Sequence, residues 1–179
     1  VTDIGDAVEW IKARHGCDHI GLVGGSWGSI TTSMYTAGPG ADNVAALILY
    51  APIYAERNQG WLDYLSDPAC PGRFNPAFTA ARPIDEAGTR VRWDAEMPPE
   101  ADWRDEQVFQ ALVQSSLSDD PHSCTRQPKA FLAPDGTWQY LWEAFNARPL
   151  YDPRRITCPT LLIRGGADAT STRSDALQL

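Results

Sequence analysis

His19-Ile20-Gly21-Leu22-Val23-Gly24-Gly25-Ser26-Trp27-Gly28-Ser29 is the stretch on which the fold turns. Residues 19–25 form a short apolar run of the kind found in strands buried inside a parallel sheet. Gly24-Gly25-Ser26-Trp27-Gly28 then fits the pattern G-x-S-x-G, and a helix-sized segment follows, closed by Gly38-Pro39-Gly40. Strand, sharp turn and helix are what this pattern needs if the serine hydroxyl is to stand clear of the sheet. A side chain two positions before or after the serine is expected to collide with the neighbouring strand or helix, hence glycine at 24 and 28. The Trp27 backbone N–H, at the start of the helix, would point toward a developing oxyanion. Alone the pattern is weak: at glycine and serine usage of roughly 7% each, it arises by chance in about one such chain in twenty. The strand before it and the helix after it make it specific. The plainer alternative is a glycine-rich turn with an idle serine. A dinucleotide site is excluded by the lack of a G-x-G-x-x-G register, and a P-loop by the lack of a lysine after the glycines.

Outward from this turn, Val44 to Pro52 reads as a second buried strand, so residues 19–51 have the size of one βαβ unit. Before it, Ile4, Ala7, Val8 and Ile11 recur at helical spacing and Gly16 stands where a helix ends. Residues 54–150 differ in character, with Trp61, Trp93, Trp103, Trp138 and Trp142 among proline-broken stretches. One helix is expected with Asp102 as N-cap and Phe109, Leu112, Val113 and Leu117 on one face. Another should carry Trp138, Leu141, Trp142 and Phe145. No strand is expected between them. The sheet pattern returns after Pro159, ends at Gly165-Gly166, and gives way to a helix capped by Ser171 or Thr172. The chain thus divides into an α/β core over 1–53, a helical insertion over 54–150 and a returning core strand with its turn and helix over 151–179. Parallel strands with helices on both faces are the expected architecture.

Fifteen Lys and Arg against 23 Asp and Glu give a formal charge of −8, which argues against nucleic acid and anionic membrane as partners. No run approaches the ~18 apolar residues of a membrane helix and no leader opens the chain, which suggests a cytoplasmic protein. Cys17, Cys70, Cys124 and Cys158 have no metal spacing and read as buried small hydrophobes. Cys70 with Cys124 is the one pairing to check.

From the helix before Gly24-Gly25-Ser26-Trp27-Gly28 onward, nearly the whole chain resembles the α/β-hydrolase superfamily. The string GGSWGS is also similar to the elbow of proline iminopeptidases. The resemblance implies that the three strands are the fifth, sixth and seventh of an eight-stranded sheet, with 54–150 as a cap or lid. It makes Ser26 the nucleophile and the Trp27 N–H an oxyanion donor. In IRGGADATS it makes Asp168 the acid, whose plainer reading is a turn or cap residue; Glu56 and Asp63 are the alternatives after the sixth strand. The family's base comes after an eighth strand, but no histidine follows Asp168. His15 and His19 fall on the wrong edge, and His122 lies in a cap loop. The expectation is therefore a fragment, inactive by itself, with bare sheet edges. In the intact protein it would be a serine hydrolase cleaving a small-molecule ester or amide through an acyl-enzyme on Ser26, with no cofactor and no metal.

Two rivals stay open. A proline iminopeptidase would need a cap carboxylate for the substrate amine, with Glu96, Glu100, Asp102, Asp105, Glu106 and Glu143 as candidates. A non-catalytic ligand-binding relative would keep the pocket and lose the reaction. Trp61, Trp103, Trp138 and Trp142 could line an apolar pocket, or simply be cap core.

Overall fold

The computed structural model describes residues 1–95, 97–98 and 100–179. In chain order the elements are α1 (Thr2–His15), β1 (Ile20–Gly25), α2 (Trp27–Thr36), β2 (Val44–Tyr50), α3 (Gln59–Leu65), β3 (Ser66–Asp67) and β4 (Cys70–Phe74). There follow β5 (Ala81–Asp85), α4 (Glu86–Ala95), α5 (Glu106–Asp119), β6 (Ala130–Pro134), α6 (Trp138–Phe145), β7 (Thr160–Ile163) and α7 (Arg173–Gln178). The protein is mixed α/β, with a three-stranded parallel sheet in the order β1-β2-β7. The chain divides into two compact units, residues 1–74 with 139–179, and residues 75–138.

In the first unit, α1 ends where Gly16 turns left-handed (φ 63°), its N–H bonding back to the Lys12 carbonyl. Val8 of α1, Tyr35 of α2 and Val44 of β2 bury one another, with Ile4, Ile20, Leu22 and Cys158 packed around them. Full burial of such side chains stabilises by roughly 1.5–3 kcal/mol each. The threonines of α2, unusual for a buried helix, are accommodated within the helix itself, whereas the buried Ser33 hydroxyl has no hydrogen-bond partner there. Thr32 Oγ1 donates to the Gly28 carbonyl (2.8 Å) and Thr36 Oγ1 to the Thr32 carbonyl (2.8 Å), so these two hydroxyls find their acceptors in the helix.

Partners across the sheet share a face. Leu22, Leu47, Leu49 and Leu162 point to the side of α1 and α2, whereas Val23, Ile48, Tyr50, Leu161 and Ile163 point to the other. On that second face Val23, Tyr50, Leu161 and Ile163 are exposed. Helices on both faces were expected; among the described residues this face stays largely open.

The second unit packs Phe109, Val113 and Leu117 of α5 against Trp93 and Phe131. Two expectations about α5 are corrected. Its N-cap is Asp105, which accepts from the Gln107 and Val108 N–H groups, so the helix starts one turn later than Asp102 would place it. Leu112 points outward, 44% exposed, because burial follows positions 109, 113 and 117, four residues apart. At the other end of α5, Asp120 accepts from the His122 and Leu132 N–H groups and from Arg126, joining the helix exit to β6. Those donors hold its carboxyl below the usual aspartate range, the His122 N–H foremost.

Strands also occur within 54–150, read as a helical insertion, and one of them, β6, lies between α5 and α6, where no strand was expected. β3 pairs with β4 and β5 with β6, both antiparallel and neither joined to the parallel sheet. They are two to five residues long and carry Pro71, Pro83 and Pro134, which sequence patterns score against strands. A two-stranded ladder has two edges, and prolines are tolerated there. The cysteine reading is corrected too: all four are free thiols, with Cys70 and Cys124 exposed and Cys17 and Cys158 half-buried.

Candidate active site

β1 ends at Gly25, and Ser26 turns the chain into α2 with φ 51° and ψ −123°. These are the dihedrals of the first central position of a type II′ turn, a conformation that favours glycine and lies outside the left-handed helical region. The strained backbone is held from both sides. The Ser26 N–H donates to the Tyr50 carbonyl on β2 (2.9 Å), and its carbonyl accepts from the Ser29 N–H (2.9 Å) and the Ser29 hydroxyl (2.6 Å). The side chain itself is exposed. Trp27 is the first residue of α2, where backbone N–H groups have no acceptor within the helix.

The two glycines of the pattern are not equivalent. A Cβ on Gly24 would stand 2.2 Å from Thr32 Oγ1 and 2.6 Å from the Gly28 carbonyl oxygen, so strand and helix touch only because that carbon is missing. A Cβ on Gly28 would meet nothing within 4 Å. The expected collision holds for Gly24 and fails for Gly28.

Asp168 lies in the turn after β7. Its Oδ1 accepts from the Thr170 N–H (2.9 Å) and the Ser171 N–H (2.8 Å), and Arg164 ties the turn together through the Asp168 and Ser171 carbonyls. The turn-forming role weighed as the plainer reading is thus present, whatever else the carboxylate does. Gly25, Tyr50 and Ile163 are paired at one level of the sheet. Ser26 and the Asp168 turn therefore both leave at the carboxyl ends of the strands, where open parallel sheets gather their ligands. Ala51, next to that edge, also has a positive φ of 48° and donates its N–H to the Ile163 carbonyl (2.7 Å). Two strained non-glycine residues at adjacent strand ends are a recognised mark of functional sites.

The other candidates are placed elsewhere or already engaged. His15 ends α1 and His19 precedes β1, at the opposite end of that strand from Ser26. His122 belongs to the second unit, exposed at the start of a one-turn 3-10 segment. Asp63 is exposed on α3 and accepts from Gln59, while the Glu56 N–H donates to Asp175. Among the cap carboxylates, Asp105 caps α5, Glu106 pairs with Arg90 and Glu143 with Arg148. Glu100 and Asp102 are exposed, and Glu96 lies outside the described residues. Trp142 is buried, donating to Ser66 Oγ, and Trp61 stacks on Phe145 at 5.6 Å while donating to Thr170 Oγ1. Trp138 lies under the Arg82 guanidinium, and Trp103 is exposed. Two of the four are thus packed in the first unit and a third covered in the second. No cluster of metal-ligating side chains occurs among the described residues.

Two polar residues at this edge, Asp175 and Ser29, went unread in the sequence, and a third, Ser171, was read only as a candidate helix cap, a place that Thr172 takes. Asp175, 1% exposed, accepts on Oδ1 from the successive N–H groups of Tyr54, Ala55 and Glu56 at 2.9–3.0 Å. Its other oxygen closes a capping box with Thr172, a pattern of Thr-x-x-Asp that is visible in the chain. Ser29 and Ser171, both fully buried, hold the segment after β2. Nothing local marks them, because their partners are distant in sequence. Nearby, burial keeps the Tyr151 hydroxyl well above the usual tyrosine range and hence protonated, opposed by the Ser33 hydroxyl it faces.

No family model, curated protein or solved structure matches the chain.

Proposed function

We propose that this chain carries the nucleophile and the acid of an α/β-hydrolase-type serine hydrolase that cleaves small-molecule esters, with amides second. The observation that carries the reading is the strained, exposed Ser26 between a parallel strand and a helix, at the same sheet edge as the Asp168 turn. Strain of this kind costs of order 1–3 kcal/mol and persists where the surroundings over-determine it. Here the Tyr50 carbonyl and the Ser29 hydroxyl do so.

In this reading Ser26 Oγ attacks the ester carbonyl carbon as a base takes its proton. The carbonyl oxygen becomes an oxyanion facing the Trp27 N–H, where the start of α2 favours negative charge. Collapse expels the alcohol, protonated by the same base, and leaves an acyl-enzyme; water then attacks and releases the acid. With Oδ1 of Asp168 taken by two backbone amides, Oδ2 is the oxygen that would orient an imidazole. The resemblance puts that imidazole after an eighth strand. His15 and His19 lie at the far end of β1 from Ser26, so neither is placed to be that base.

A fluorophosphonate probe tests this, applied to the natural polypeptide that carries the sequence. The probe should label Ser26, and Ser26→Ala should abolish both labelling and aryl-ester hydrolysis. Absence of label on Ser26 would sink the reading in favour of a binding relative. Prolyl amides turned over faster than aryl esters would move the substrate class to iminopeptidase chemistry. Loss of labelling in His122→Ala would assign the base within the chain.

A further inference from the structure

The peptide group joining Pro52 to Ile53 is gripped at both ends. Its N–H donates to Ser29 Oγ (3.1 Å), and its C=O accepts from Ser171 Oγ (2.7 Å). Ser29 is 0% exposed and Ser171 1%. Each serine has a second attachment, on opposite sides of the site. The Ser29 hydroxyl donates to the carbonyl of Ser26 (2.6 Å), and the Ser171 N–H donates to Asp168 Oδ1 (2.8 Å). A continuous path of five groups therefore runs from the strained serine to the acidic turn: Ser26, Ser29, the 52–53 peptide, Ser171, Asp168.

The middle member is a rigid plane. A trans peptide does not rotate about its C–N bond, and its N–H and C=O point in opposite directions. Displacing either serine tilts the plane and lengthens the bond at the other end. Because Ser29, the 52–53 peptide and Ser171 are buried, breaking either bond to that peptide leaves a buried donor or acceptor unmet, and such networks respond as units.

We propose that Ser29 and Ser171 are positioning residues that, through the 52–53 peptide, couple the Ser26 turn to the Asp168 turn and set their spacing. The catalytic meaning of this coupling rests on the hydrolase reading above; the coupling itself does not. Neither serine touches substrate. They would act by holding Ser26 and Asp168 far enough apart for one imidazole and no farther, a tolerance on which misplacement by an ångström can cost about a hundredfold in rate.

Two readouts on Ser29→Ala, Ser171→Ala and the double variant test this, in the natural polypeptide and well below its melting temperature. The first is the rate of fluorophosphonate labelling at Ser26, with kcat and KM for an aryl ester. Each single variant should label about tenfold more slowly and lose kcat at unchanged KM, and the double variant should be no worse than the slower single, as for residues that act as a unit. The second is amide hydrogen exchange. Ser29→Ala should speed exchange at Thr170 and Ser171, on the far turn, and Ser171→Ala should speed it at Ser29. In the unaltered protein the amides of Ser29, Ile53, Thr170 and Ser171 should open together as denaturant is raised, which holds even if a variant fails to fold. Labelling within twofold of the parent in folded variants, or exchange that changes only on the substituted turn, overturns the proposal. A parent protein that takes no label overturns the hydrolase reading instead, and exchange alone then decides the coupling.

Discussion

Gly24 and Gly28 look alike in the pattern G-x-S-x-G, yet they do different things. At Gly24 an added carbon would sit 2.2 Å from Thr32 Oγ1 and 2.6 Å from the Gly28 carbonyl oxygen, so β1 or α2 would have to move. At Gly28 it would enter open space on the first turn of a helix. Gly24→Ala should therefore lower stability by about 1–3 kcal/mol or more, the usual cost of overpacking. Gly28→Ala should be neutral or gain up to about 1 kcal/mol from helix propensity. Equal urea midpoints for the two variants would show that the close approach at Gly24 is not real. Ser26 supplies the complementary case. Its φ of 51° suits glycine, so Ser26→Gly should be more stable than Ser26→Ala by about 1 kcal/mol, because alanine removes the hydroxyl but keeps the strain. Thermal melts of the two would decide it, and an alanine variant as stable as the glycine would mean the turn is unstrained. A serine held in a backbone conformation that glycine would adopt at lower cost is what a functional site looks like in stability measurements.

At the scale of elements, legibility in the sequence followed the range of the interactions. α1, β1, α2, β2 and β7 are visible because each carries a local signature: apolar spacing, a buried run, or glycine where the helix must stop. The Ser26 turn is visible for the same reason. The short ladders β3–β4 and β5–β6 are not, because pairing between segments such as 81–85 and 130–134 leaves little trace in either one, and their prolines argue against strands. Leu112 shows the same limit on a helix, where apolar spacing alone did not say which neighbour the wider face lacked. Asp175 is the sharpest instance. Its capping box with Thr172 is local and readable, while the three N–H groups it accepts lie more than a hundred residues away. Those donors make it an anchor that fastens the start of α7 to the segment leaving β2. Asp175→Ala would leave three backbone N–H groups without their acceptor, and should cost about 3–5 kcal/mol at 1–3 kcal/mol for each group left unmet, less what water recovers. Asp175→Asn, which keeps an oxygen at that place, should lose clearly less. Matching urea midpoints for the two variants would assign the anchoring to the charge and not to the acceptor geometry.

For the molecule as a whole, the parallel sheet has two unlike faces. The one toward α1 and α2 buries Leu47 and Leu49 to 1% exposure, while Val23 on the other face is 68% exposed and Leu161 54%. Strands of parallel sheets are ordinarily covered on both sides, which is why their sequences read as continuous apolar runs, and β1 and β2 do read that way. Those runs anticipate burial on both faces, and among the described residues it is found on one. The contrast makes a sharp prediction, since loss of apolar side-chain surface should cost little on one face and much on the other. At Val23 threonine keeps the β-branched shape that strands accept and exchanges a methyl for a hydroxyl; at Leu161 it shortens the side chain and adds both the β-branch and the hydroxyl. Val23→Thr and Leu161→Thr, facing water, should alter stability by no more than about 0.5 kcal/mol each and lower light scattering at high protein concentration. Leu49→Ala, on the covered face, should cost about 2–5 kcal/mol through lost burial and the cavity left behind. Thermal melts of the three variants at one low protein concentration, with scattering measured across a dilution series, separate the two effects. Should Val23→Thr and Leu161→Thr destabilise as strongly as Leu49→Ala, the second face is covered in solution, and these side chains belong to a core rather than to a surface.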